Sequence, residues 1–160
     1  MRILGLDPGT GRLGYAVIDA AGGHVSYLTC GCAETAAGGL PGPRLAELRD
    51  TIENLCRRYR PDQAVLERLY FSTNVRTAMT VAEARGMLLT LLADEQIPVL
   101  EVTPQEVKGG VTGRGNAPKH QVQRMVVLLF GLNKPPSPDD AADALAIAYA
   151  GTARAVAAPR

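Results

Sequence analysis

Residues 2–33 read RILGLDPGTGRLGYAVIDAAGGHVSYLTCGCA, and the punctuation of this stretch decides the fold. Arg2–Asp7 is a short apolar run that stops at Asp-Pro-Gly, a turn signal, and reads as a buried strand. Gly14–Asp19 (GYAVID) follows a Gly-rich turn and reads as a second strand. Val25–Ala33 is a third, with Gly22-Gly23 before it and Gly38-Gly39 beyond it. Three strands joined by short turns predict an antiparallel meander.

Downstream the period changes. Leu45, Leu48, Ile52 and Leu55 recur at helical spacing with charged residues between them, which predicts an amphipathic helix over 41–60. Gln63–Glu67 (QAVLE) is a short apolar strand, Arg76–Asp94 a second long helix, and Pro98–Val102 (PVLEV) a last strand. Pro104 starts a helix that Gly109-Gly110 is expected to interrupt. Pro118 opens another, with Val122, Met125, Val126 and Leu129 as its inner face, and a final helix runs from Pro138 to Ala155. Strands alternating with helices imply parallel strands with crossovers. The class is therefore α/β: a mixed five-stranded sheet, antiparallel meander then parallel strands, flanked by helices. That is the ribonuclease-H-like architecture. No repeat and no low-complexity linker divides residues 1–160, so a single domain is expected.

Apolar residues make up 46% of the chain and charged residues 21%, which excludes a disordered chain. The longest stretch without Asp, Glu, Lys or Arg, Ala20–Ala33, holds three glycines, a His and a Ser, so no membrane span is expected. An acid at Asp7 precedes any apolar run long enough for a signal peptide, and a cytoplasmic location is expected. Cys30, Cys32 and Cys56 are too few and too irregular for a disulfide framework, and with only His24 and His120 they make no zinc pattern. Cys30 and Cys32 share one face of a strand and read as small buried thiols. The net charge of +1 points to no particular partner. Between Pro104 and Pro138, however, Lys108, Arg114, Lys119, Arg124 and Lys134 face one acid, Glu106. This is either a solvated face or a surface for an anionic partner.

The acids carry the chemistry. Asp7 ends the first strand, where functional side chains of α/β folds gather, although an Asp there can also cap a turn. Glu67 ends an apolar strand; if both strands are central, the two acids emerge at one sheet edge. Asp139, Asp140 and Asp143 open the last helix, where acids also suit the helix dipole. Asp140 and Asp143, three apart, share a helix face. Carboxylates without His or Cys select hard divalent cations, Mg²⁺ or Mn²⁺. Asp7, Glu67, Asp140 and Asp143 together predict a two-metal site for in-line phosphoryl displacement. No Ser-His or Cys-His pairing competes, and Asp7–Gly14 lacks the GK[ST] of a P-loop.

Asp7-Pro8-Gly9-Thr10, Leu66-Glu67 with Tyr70-Phe71 and Asn74, Ala82-Glu83-Ala84-Arg85-Gly86, and Asp140–Ile147 (DAADALAI) together resemble the RuvC family of bacterial Holliday-junction resolvases. The resemblance covers residues 3–150 with the motifs in family order. It implies a ribonuclease-H-like homodimer that nicks four-way DNA junctions with divalent metal. It implies Asp7, Glu67, Asp140 and Asp143 as catalytic and metal-binding carboxylates, and Lys108 and Lys119 as basic residues along the DNA channel. It also implies a junction-binding and branch-migration motor as a partner, which no surface motif here identifies. Tyr70 departs from the Phe of well-known members, keeping the ring and adding a hydroxyl.

Tyr70 and Phe71 sit in a polar run with Asn74 and Arg76; Tyr70 reads as a stacking residue at unpaired bases and Phe71 as packing beneath the loop. These four, with Lys108, Arg114 and Lys119, are the expected DNA contacts. Lys108, Arg114 and Lys119 fall in a Gly-rich segment expected to be a mobile loop without DNA. Two other classes compete. ATPases of the actin and sugar-kinase type begin with a similar Asp-x-Gly turn but need two such domains. A non-catalytic DNA-binding module explains the basic stretch but not four acids beside phosphate. A two-fold dimer is expected, because a junction needs two symmetric cuts and the chain carries one set of acids. The 76–94 helix is apolar around much of its circumference, which implies a second buried face.

Overall fold

The computed structural model of the chain describes residues 1–9, 11–36, 38–68 and 75–155. Its strands are β1 (Arg2–Pro8), β2 (Arg12–Ala21), β3 (His24–Glu34), β4 (Gln63–Glu67) and β5 (Val99–Val102). Its helices are α1 (Pro41–Tyr59), α2 (Val75–Asp94), α3 (Pro104–Thr112), α4 (Lys119–Leu129) and α5 (Asp139–Ala155). The strands form one sheet in the order β3-β2-β1-β4-β5. β1, β2 and β3 pair antiparallel, and β4 runs parallel to both β1 and β5. This is the ribonuclease-H-like sheet the sequence predicts.

Period-two alternation splits the core. Ile3, Ala16, Ile18, Val65 and Val102 face α3, α4 and α5. Leu4, Leu6, Leu13, Val17, Ala64 and Leu66 face α1 and α2. The sheet is thus a buried layer between two helical layers, as expected for parallel central strands. β2 extends two residues and β3 one residue beyond its predicted bounds at each end, because the hairpin ladder runs from Arg12↔Glu34 to Ala21↔His24 at the Gly22-Gly23 turn.

Two expectations are corrected. Gly109-Gly110 does not interrupt α3, which runs to Thr112 and ends at Gly113 in the left-handed region. Thr103 caps it in a reciprocal box with Glu106, and Val107 and Val111, one turn apart, are buried. Caps and packing together outweigh a glycine penalty of about 1 kcal/mol each. Cys30 and Cys32 are half-buried rather than buried; Cys56 alone of the three is enclosed. β3 is the sheet edge, so the face beneath the two thiols is only partly covered.

α5 lies directly on the strands. A Cβ on Gly5 would stand 2.7 Å from the Ala148 nitrogen, and one on Gly14 2.7 Å from the Asp140 carbonyl carbon. Only hydrogen fits between sheet and helix at these points. Among the described residues no helix is long and apolar enough to cross a membrane.

Candidate active site

Leu6 and Leu66 are paired neighbours on the α1–α2 face. The next residue on each strand therefore turns to the other face, so Asp7 and Glu67 emerge side by side toward α5. Asp143, on the second turn of α5, meets them. These three acids line a cleft of about 250 Å³ with Lys108 and Lys119. A larger cavity of about 440 Å³ lies at the opposite end of the sheet, around Met1, His24 and Tyr149, and gathers no acid.

Burial pushes the Asp7 carboxyl up to about 7, reinforced by the charges of Asp143, Glu67 and Asp140 and opposed by Lys119. Glu67 is raised by burial and by Asp143, with Lys108 opposing. Asp143 is raised by burial, against a hydrogen bond from Lys119. Asp7 thus senses all three other acids. Asp140 stands to one side. Its Oδ2 lies 4.0 Å from an Arg12 nitrogen and accepts a contact of 3.9 Å from the Cys32 thiol.

Lys119 bridges Asp143 to Asp139 at the mouth of the cleft. Its Nζ lies 2.9 Å from Asp143 Oδ2 and 3.2 Å from Asp139 Oδ2. These contacts, the hydrogen bond to Asp143 first, raise its own pKa. Lys108 and Lys119 lie on helices, not in a loop, which corrects the expectation for both; Arg114 alone sits exposed in the turn between α3 and α4. Tyr70, Phe71 and Asn74 lie outside the described residues, as does the Arg76 side chain.

The donor set bears on the metal reading. It consists of carboxylates alone, and the burial and mutual repulsion that raise Asp7, Glu67 and Asp143 are what a divalent cation relieves. Among the described residues no group of three or more acids, His or Cys is drawn around one point as the side chains stand. The Lys119 ammonium neutralises part of the cluster instead. Donor type and charge fit a hard divalent cation, with Lys119 as the group that must yield.

Two residues at the site escaped sequence reasoning. Arg12 pairs with Glu34 at 3.3 Å and flanks Asp140; its cross-strand register Arg12↔Glu34 is invisible without the hairpin. Arg85 of α2 donates to the Glu67 carbonyl at 3.2 Å. The only signal for it was its place in the Ala82–Gly86 motif.

Comparison with known proteins agrees with this geometry. Residues 3–151 match the family model for crossover junction endodeoxyribonuclease RuvC. The RuvC of Petrotoga mobilis is 46% identical over 149 residues, covering 93% of this chain and 91% of that protein. The RuvC of Moorella thermoacetica is 47% identical over 148 residues, covering 92% and 89%. The structure of Thermus thermophilus RuvC in complex with Holliday junction substrate superposes with a TM-score of 0.92 at 29% identity, covering 97% of this chain and 94% of that one. With a family model spanning nearly its whole length and relatives well above 40% identity, this chain belongs to the RuvC family of crossover junction endodeoxyribonucleases.

Proposed function

We propose that this chain resolves four-way DNA junctions by paired symmetric nicks, as a divalent-metal-dependent endonuclease of recombination and repair. The carrying observation is the convergence of Asp7, Glu67 and Asp143 in one cleft with Lys108 and Lys119, in a member of this family. Asp7, Glu67, Asp140 and Asp143 are the catalytic carboxylates and would hold two Mg²⁺ or Mn²⁺ ions. A divalent cation held by them would supply a water of lowered pKa and charge neutralisation at the leaving 3′ oxygen. The net reaction adds water across the P–O3′ bond, leaving a 5′-phosphate and a 3′-hydroxyl. Burial of Asp7 and Glu67 keeps bulk water from competing for their oxygens. Lys119 releases Asp143 and turns to phosphate, and Lys108 and Arg114 extend the basic rim. Tyr70, Phe71, Asn74 and Arg76 complete the DNA contacts, with Tyr70 stacking on unpaired bases.

The whole of 1–160 works as one nuclease domain, in the cytoplasm, as a homodimer. α2 buries Ala84, Leu88, Leu91 and Leu92 against the sheet. Met79, Ala82, Gly86 and Leu89 form a second, exposed stripe at spacings of three and four. Small residues within such a stripe let a partner helix approach closely. A branch-migration motor is a further partner. The test is a synthetic four-way junction with each strand labelled in turn, incubated with Mg²⁺ or Mn²⁺. Symmetric nicks in opposite strands support the reading; no nicking, or equal nicking of plain duplex, refutes it.

A further inference from the structure

We infer that Arg85 is a positioning residue for Glu67, gripping the end of β4 from the face opposite the carboxylates and so setting the site's affinity for its divalent cation, given that Glu67 is a ligand to that cation.

Glu67 sits where the sheet loses hold of its chain. The β1–β4 ladder ends at Leu6↔Leu66, so β1 does not pair with Glu67. On the other side one bond remains past the pair Glu67↔Val102, from the Arg68 amide to the Val102 carbonyl at 2.7 Å. Glu67 is the last residue of β4. Arg85 supplies a further tie. Its guanidinium donates to the Glu67 carbonyl at 3.2 Å and, through its other terminal nitrogen, to the Glu101 carboxylate.

The two faces divide the work. Val102 belongs to the α5-side core, so Glu101, one residue earlier, turns toward α2. Arg85 reaches it from α2, beside the buried Ala84 and Leu88, with its own side chain only 13% exposed. Arg68 adds a second cation to Glu101 at 3.4 Å. Glu101 is thereby a fixed anchor, and Arg85 spans from it to the backbone of the metal-binding strand. A largely desolvated guanidinium bridging a carboxylate and a carbonyl is directional and resists sliding. Without it the end of β4 loses its tie on the α2 side, and Glu101 loses one of its cations. Residues that hold a metal ligand in this indirect way are worth about 10–100-fold in metal affinity or activity.

Arg2 is a natural control. At the other end of the sheet it makes the same pair of bonds, to the Asp19 carboxylate at 3.0 Å and to the Tyr59 carbonyl at 2.6 Å. It lies at the end of β1 away from Asp7.

The experiment measures Mn²⁺ binding to the DNA-free protein by titration calorimetry or by the free-ion electron paramagnetic resonance signal. Arg85→Met is expected to weaken Mn²⁺ binding by about tenfold. It should also raise the Mg²⁺ concentration for half-maximal single-turnover nicking in step, while junction affinity in chelator holds. Arg85→Lys should recover part of the binding. Arg2→Met should lower the melting temperature and leave Mn²⁺ binding as in the wild type. If Arg85→Met does not fold, Glu101→Gln, which loosens the anchor and keeps the donor, should weaken Mn²⁺ binding in the same direction by less. Wild-type Mn²⁺ binding in Arg85→Met, or in Glu101→Gln where only that variant folds, overturns the inference provided Glu67→Gln abolishes binding. Wild-type Mn²⁺ binding in Glu67→Gln instead overturns the ligand reading beneath it.

Discussion

Replacing Asp7 with Asn should make the metal-free protein more stable while abolishing its nuclease activity. Asp7 is held at about 7 instead of its ordinary 3.8, by burial first and then by three neighbouring acids. A folded-state value raised above the unfolded one penalises the fold wherever the carboxyl is forced to ionise. The penalty is complete above pH 7, and it fades as pH falls toward 3.8, where both states hold the proton. The gap sets a ceiling of about 4 kcal/mol above pH 7, falling below half of that by pH 5. Denatured-state charge and the imperfect fit of an amide reduce this, and about 2 kcal/mol at pH 8 is expected. For a chain of this size that is an increase of about 4–8 °C in melting temperature. The assay is thermal unfolding of wild type and Asp7→Asn in chelator across pH 5–8, then with Mn²⁺ added. The gap should shrink toward pH 5, and Mn²⁺ should narrow it at pH 8 by relieving repulsion in the wild type. An Asn variant melting at or below the wild type at pH 8 would refute the idea that ionising Asp7 penalises the fold.

Lys119→Met removes the cation between Asp139 and Asp143, so melting in chelator should fall at pH 8 and stay near wild type at pH 4, followed by calorimetry. Neutralising Lys108 and Lys119 together should reduce the salt slope of junction binding by about one for each phosphate that they neutralise; an unaltered slope assigns phosphate binding to other residues. Leu89→Glu, on the exposed stripe of α2, should give a monomer by sedimentation at micromolar concentration, with uncoupled single nicks. Tyr70→Ala should weaken binding to junctions with unpaired bases by about 1–3 kcal/mol, read by fluorescence anisotropy.

The strands were legible because each is bounded by its own punctuation: Gln63–Glu67 is predicted to the residue, and Gly22-Gly23 marks the hairpin turn. The acids stood out because Asp7 and Glu67 each terminate an apolar run, and Asp140 and Asp143 share a helix face. What failed depended on partners distant in sequence. Gly109-Gly110 looked like a break because the buried Val107 and Val111 had no visible surface to pack on. Cys30 and Cys32 looked enclosed because nothing local says that β3 is an edge. The pairing of Lys119 with Asp139 and Asp143 spans two helices, and the reach of Arg85 to Glu67 needs the α2 packing against β4 and β5. Such contacts have no period and leave no local mark.

Gly5 and Gly14 give the site its ruler. Because α5 rests on bare backbone there, the separation between the acids of the strands and those of the helix is fixed by two missing side chains. An added methyl at either position moves the whole helix outward and carries Asp140 and Asp143 with it, away from Asp7 and Glu67. A single carbon at residue 5 or 14 would rescale the spacing of the carboxylates themselves.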